Sequence, residues 1–214
     1  VIGTATLSTP IGQTSLGNYI FAGLQTQNWV FVLFGCLAAA VLALAVDQLL
    51  ALIEAGIRNR SRLRVALGGF RAALGQADAA HAQFTAAIQL DADFVPAYVN
   101  AADVLRAQGR DQESAATLLQ GLQRVPTSAT LHHALGLARI RLQQPELAME
   151  SLRRAVELDP ATARYTYVLA VALHSAGQAD EAIRRLHEAV KRWPYDREML
   201  MALTSFQLES GRRQ

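Results

Sequence analysis

The 214-residue chain has a single cysteine, Cys36, which excludes an intramolecular disulfide framework and a cysteine-rich metal site. Charge is also scarce, at 18% against roughly 25% in ordinary soluble domains. The scarcity is uneven. Residues 1–46 contain no Asp, Glu, Lys, Arg or His, where the chain's own average predicts about eight charges. All 20 Lys and Arg and all 18 Asp and Glu follow residue 46, so the composition averages two unlike pieces. The net charge of +2 is too small to indicate nucleic acid as a partner. Catalytic signatures are missing as well: there is no Gly-Lys-Ser/Thr phosphate loop, GxSxG, HExxH, CxxC or CxxCH. This points to a protein that is not an enzyme and holds no cofactor. The one histidine pair, His132-His133, occupies adjacent helical positions about 100° apart, a poor chelate, so no metal is expected.

The uncharged piece contains WVFVLFGCLAAAVLALAV, 18 apolar residues from Trp29 to Val46, followed by Asp47, Gln48 and LLALI to Ile53. As a helix this stretch reaches about 37 Å, enough to cross a hydrocarbon core of about 30 Å with tilt. It predicts a transmembrane helix over 29–53, with Cys36 a small apolar filler and Trp29 an interfacial anchor. Asp47 has two readings: a carboxylate facing partner helices or a substrate path, or one hydrated at the interface. Arg58, Arg60, Arg62 and Arg64 follow the span and nothing basic precedes it, which puts the C-terminal side in the cytoplasm. A signal peptide fits poorly, because a charged leader is missing and the apolar run is long. The chain opens on Val1, which reads as a fragment or a processed chain. Residues 8–28, with three Gly, one Pro and many Ser, Thr, Gln and Asn, read as a loop.

Residues 1–57, with the loop signature Ser15-Leu16-Gly17-Asn18-Tyr19-Ile20-Phe21 and Asp47 near the end of the apolar run, resemble the C-terminal end of betaine/choline-type ABC transporter permeases. The resemblance implies that Val1–Leu7 closes a preceding helix, that other transporter subunits are partners, and that the chain sits in a bacterial inner membrane. That family's cytoplasmic coupling loop and most of its helix bundle have no counterpart here.

Beyond residue 60 the chain repeats every 34 residues. Gly75, Gly109, Gly177 and Gly211 share one lattice, with Gln143 in the remaining slot. Pro126, Pro160 and Pro194 share another, with Ala92 in the first slot. Small residues recur at Ala80, Ser114, Ala148 and Ala182 and at Ala87, Gly121, Ala155 and Ala189. Large ones recur at Phe84, Leu118, Leu152 and Leu186, and Leu67, Ala101, Leu135, Leu169 and Leu203 complete a sixth series. Small residues let two helices cross closely, large ones fill the gap, Gly ends the first helix in a left-handed turn and Pro stops the second. With blocks such as LHHALGLARIRLQQPELAMESLRRAVELDP, residues 61–214 resemble tetratricopeptide (TPR) repeats. The expected fold is all-α: one membrane helix, then an α-solenoid of about 4.5 repeats over 61–94, 95–128, 129–162, 163–196 and a partial 197–211.

That resemblance places groove contacts at the fifth, sixth, ninth, twelfth and thirteenth residues of each repeat. They include Asn100, Asp103, Arg106, His133, Arg141, Tyr167 and His174, a mixed set that suits a protein or peptide segment or merely solvates the groove. His132 takes a packing position usually held by an aromatic. Of the carboxylate-clamp pattern for acidic C-termini only Asn100 fits. The leading expectation is a membrane-anchored scaffold on the cytoplasmic side, in contact with lipid. The alternatives are the tail of a quaternary-amine permease carrying appended repeats, or two pieces joined near residue 60, with the repeats of an exported type.

Overall fold

The computed structural model describes residues 29–211. The expected N-terminal remnant 1–7 and the loop 8–28 with its Ser15–Phe21 signature lie outside the described residues. The chain divides into two compact units, Val1–Arg58 and Asn59–Gln214. Among the described residues the elements are nine helices: α1 Trp29–Ala73, α2 Ala77–Leu90, α3 Val95–Ala107, α4 Asp111–Arg124, α5 Ala129–Arg141, α6 Pro145–Leu158, α7 Ala163–Ser175, α8 Ala179–Arg192 and α9 Arg197–Gly211. The fold is all-helical, with the repeats stacked as an α-solenoid.

Within the first unit, α1 carries the window Val32–Leu50, 19 residues long and apolar enough to cross a membrane. Leu33, Phe34, Leu37, Val41 and Leu44 on it are exposed, as is Cys36. Trp29 is the first residue of α1, and Asp47 is exposed within it. The apolar stretch and the helix beginning at residue 61 are expected as separate elements. In the structure one helix runs through both. Gly56 is the only strong helix-weakener there, and one glycine costs only about 1 kcal/mol.

In the second unit each repeat is a pair of antiparallel helices, and the 34-residue series become geometry. The first helix of every full repeat ends in one device. Gly75, Gly109 and Gly177 have φ of 74°, 76° and 79°, and Gln143 in the fourth slot adopts φ 57°. The next amide then reaches back along the helix: Arg110 N–H donates to Leu105 O at 2.9 Å, Gln144 to Arg139 O at 3.0 Å, and Gln178 to Leu173 O at 2.9 Å. This double-bonded end satisfies carbonyls that a helix terminus otherwise leaves without partners.

The helices of a pair interlock through a small residue on the first and a large one on the second. A Cβ added to Gly68 would lie 2.5 Å from the Phe84 ring, and one added to Gly136 would lie 2.6 Å from Leu152 Cγ. Ala102 and Ala170 hold the same slot opposite Leu118 and Leu186, all buried. Ser114 donates to Ala102 O at 2.9 Å across the same crossing. Neighbouring repeats are joined by the next first helix: Leu131 and Leu135 pack with Tyr98 and Leu118, and Met199 with Leu186 and Ala189. The turn carbonyls before α3 and α5 are also closed. Tyr98 Oη donates to Ala92 O at 2.9 Å, and the His132 ring nitrogen sits 3.0 Å from Pro126 O, one repeat on. The packing role expected of His132 is thus a hydrogen bond that an aromatic hydroxyl fills elsewhere.

His133 is only 8% exposed, with its ring 4.8 Å from that of Tyr165 in the next repeat and Nδ1 buried without a partner. Burial, reinforced by the Arg164 charge, lowers its pKa to about 4.

Two outcomes follow. Gln143 pays the left-handed penalty of an L-residue, so Gln143→Gly raises stability by about 1 kcal/mol, or about 2–4 °C in Tm; an unchanged or lower Tm contradicts the strained turn. For His133 the folded pKa lies below the unfolded value near 6.5, so the unfolded chain binds the extra proton. Its contribution is intact above pH 6.5 and is lost as pH falls toward 4, by roughly 2–3 kcal/mol. Urea titrations of His133→Leu against the parent should show this segment of the pH dependence flattened.

Candidate functional site

The first helices α3, α5 and α7 line one face of the array, and the positions that project from it are fixed by the repeat. Between α5 and α7, floored by α6, lies a cleft of about 380 Å³. Its walls are Leu137 and Ile140 from α5 and Tyr167, Val168 and Val171 from α7, with Met149 beneath. Gln143 and Pro145 close one end. Ile140 remains exposed, so the apolar surface is presented outward and not sealed within the core. A cleft of this kind receives aliphatic or aromatic side chains; its few polar groups, such as the Tyr167 hydroxyl and Ser175, would orient them.

Of the seven groove residues expected from the sequence, Tyr167 lines this cleft. The charged ones are engaged with their neighbours. Arg106 donates to Asp103 at 2.7 Å within α3. Arg141 Nε donates to Asp111 Oδ1 at 2.6 Å, a link across 30 residues that raises the guanidinium pKa through this hydrogen bond and the carboxylate charge. His174 stacks flat on Phe206 of α9, 3.7 Å between ring centres, with Glu209 at 3.4 Å from Nε2. His133 lies under the surface against Tyr165. Asn100 is half-buried on α3. The set therefore does not converge on one ligand: its contacts tie α3 within itself, the third repeat to the second, and α7 to α9.

Leu137, Ile140, Val168 and Val171 were the residues sequence reasoning passed over. They occupy the ninth, twelfth, sixth and ninth positions of their repeats, the same positions that select Asp103, Arg106, Asn100 and Asp103 in the second. The signal was present in the periodicity; attention to polar side chains hid it. Among the described residues no three His, Cys, Asp or Glu side chains gather as metal ligands.

A tetratricopeptide-repeat family model matches residues 59–129 and 133–197, more than half of the chain. No curated protein matches the sequence. Among solved structures, the chain is similar to TTC0263, a thermophilic TPR protein of Thermus thermophilus, with TM-score 0.62, 19% identity, and 91% of this chain and 100% of that one covered. It is similar to the MamA protein with TM-score 0.60 and 19% identity, over 71% of this chain and 83% of that one. YrrB, a TPR protein described as having an unusual peptide-binding site, aligns with TM-score 0.56 and 21% identity over 71% of this chain and 78% of that one. At these identities the likeness is one of fold. The permease resemblance of residues 1–57 finds no support in any of these comparisons. The 34-residue lattice, the glycine turns, the small-on-large crossings and the family match agree, and the chain belongs to the tetratricopeptide-repeat family.

Proposed function

We propose that this protein is a non-enzymatic scaffold that holds a protein or peptide segment in the concave groove, with the apolar part of α1 as a membrane anchor. The observation that carries the first half is the outward-facing apolar cleft of Leu137, Ile140, Tyr167, Val168 and Val171. It lies at the family's groove positions, and a peptide-binding site is named for the similar protein YrrB. The occupant is a segment that inserts apolar side chains, held by shape and burial, since the nearby Arg141 and His174 already have partners. The support for the anchor is the window Val32–Leu50, whose apolar side chains are exposed where a soluble core helix would bury them. Arg58, Arg60, Arg62 and Arg64 favour a cytoplasmic face for the repeats, at a bacterial inner membrane.

Two measurements test the two halves. Peptides selected by display against the full chain in phosphatidylcholine nanodiscs should carry spaced aliphatic or aromatic residues. Their affinity should fall at least tenfold in Ile140→Asp and Val171→Asp and hold in Arg154→Ala. Selection of acidic tails indifferent to the groove variants contradicts the cleft. For the anchor, Leu37→Lys, Val41→Lys and Leu44→Lys together should move the chain from membrane to soluble fraction, each lysine costing about 2.5–3.5 kcal/mol at mid-bilayer. A parent chain that is already soluble removes the anchor from the account.

A further inference from the structure

Later repeats bury the third residue of their first helix against the repeat before, and the second to fourth repeats bury the seventh; the tenth is buried in the second and third repeats and partly buried at Ala172 and Phe206. The third residues Ala97, Leu131, Tyr165 and Met199 are at most 9% exposed. The seventh, Ala101, Leu135 and Leu169, are at most 2% exposed, and the tenth, Val104 and Ala138, are 8% and 1%. In the first repeat the same positions hold Leu63, Leu67 and Phe70, with Leu74 next in line, and these are 69%, 42%, 63% and 57% exposed. Their spacing of four, three and four puts them on one helical stripe. The opposite face of this part of α1 is occupied, because Val65 and Gly68 pack on Ala80 and Phe84 of α2. The exposed stripe thus has the composition and the positions of a buried helix–helix contact, without the helix.

Charge narrows what fits there. By helical register Arg60, Arg64 and Arg71 run along one edge of the stripe, and Arg62 lies toward the other. Arg60, Arg62 and Arg64 are exposed, and among the described residues Arg64 donates to the neutral Gln83 at 3.2 Å. No Asp or Glu occurs between Glu54 and Asp78. A second copy docked stripe to stripe would set arginines against arginines. Residues 1–46 of the chain carry no carboxylate to pair with these arginines.

We propose that Leu63, Leu67, Phe70 and Leu74 form a docking face for an amphipathic helix of a partner protein. That helix carries an aliphatic stripe edged with carboxylates and takes the place that a preceding repeat's second helix takes elsewhere in the array. Burial of the four side chains supplies affinity, and the arginine edge supplies orientation and selects against basic helices. The face is separate from the groove between α5 and α7 and stands or falls independently of it.

The test titrates two labelled, stapled helices into the full chain in phosphatidylcholine nanodiscs, with anisotropy as the readout. Both present leucines at i, i+3, i+4 and i+7; one is edged with Glu and the other with Lys. The Glu-edged helix should bind at least tenfold tighter than the Lys-edged one. It should weaken at least tenfold in Leu67→Gln/Phe70→Gln, whose exposed sites leave folding by circular dichroism unchanged, and bind Ile140→Asp like the parent. Equal binding of the two helices, or none, overturns the proposal. So does loss of Glu-edged binding when phosphatidylserine replaces phosphatidylcholine, which would give the face to lipid. Self-association of the full chain that the double variant abolishes would give it to a second copy, and also overturns it.

Discussion

The crossing of a small residue on the first helix with a large one on the second is the constraint on which the rest of the repeat array depends. At Gly68–Phe84 and Gly136–Leu152 there is no room for even one methyl group. At Ala102–Leu118 and Ala170–Leu186 one methyl is accommodated. Because interiors are packed as densely as crystals, such a crossing sets the separation of its two helices. It thereby sets the angle at which the next first helix meets the pair. Leu131, Tyr165 and Met199 then fall into buried seats between successive pairs. Stability in such an array is a sum of repeat terms and neighbour contacts, so each crossing acts locally and the array's form is their accumulation.

Polar links follow the apolar ones. Gln108 donates to Asp78, Arg124 to Asp93, Arg141 to Asp111 and Arg192 to Pro160 O, each across 30 to 32 residues. These bonds are exposed, so solvent screens them and each adds little to stability. Their effect on the groove is larger than on stability. The Asp111 bond engages Arg141 on the third repeat and leaves the aliphatic walls of Leu137, Ile140, Val168 and Val171 as the main feature of the cleft. The groove is apolar at the place where one of the array's own bonds has engaged the Arg141 cation.

Position within a repeat was legible in the sequence, because 34-residue periodicity repeats one local geometry. Gln143 illustrates this: its slot among Gly75, Gly109 and Gly177 implied a left-handed turn, and it adopts one at φ 57°. Relations between repeats were not legible. His133 shares its lattice with Val65, Val99 and Tyr167, and nothing in that series shows that Tyr165 of the next repeat covers it. The Arg141–Asp111 bond likewise depends on how pairs stack. The helical continuity of α1 through residues 54–60 escaped prediction for another reason. A change in composition from apolar to arginine-rich looks like a boundary, yet alanine, arginine, isoleucine and a lone glycine all propagate a helix once it has begun.

The central claim is that crossings and bonds internal to the array leave an apolar cleft as the recognition surface. Methyl-resolved NMR of the full chain in nanodiscs tests it most directly, by following the side chains themselves while a display-selected peptide is added. The account predicts saturable shifts confined to the methyls of Leu137, Ile140, Val168 and Val171, with those of Leu118 and Leu152 in the crossings unmoved. Shifts that spare α5 and α7, or that spread through the crossings, would contradict it.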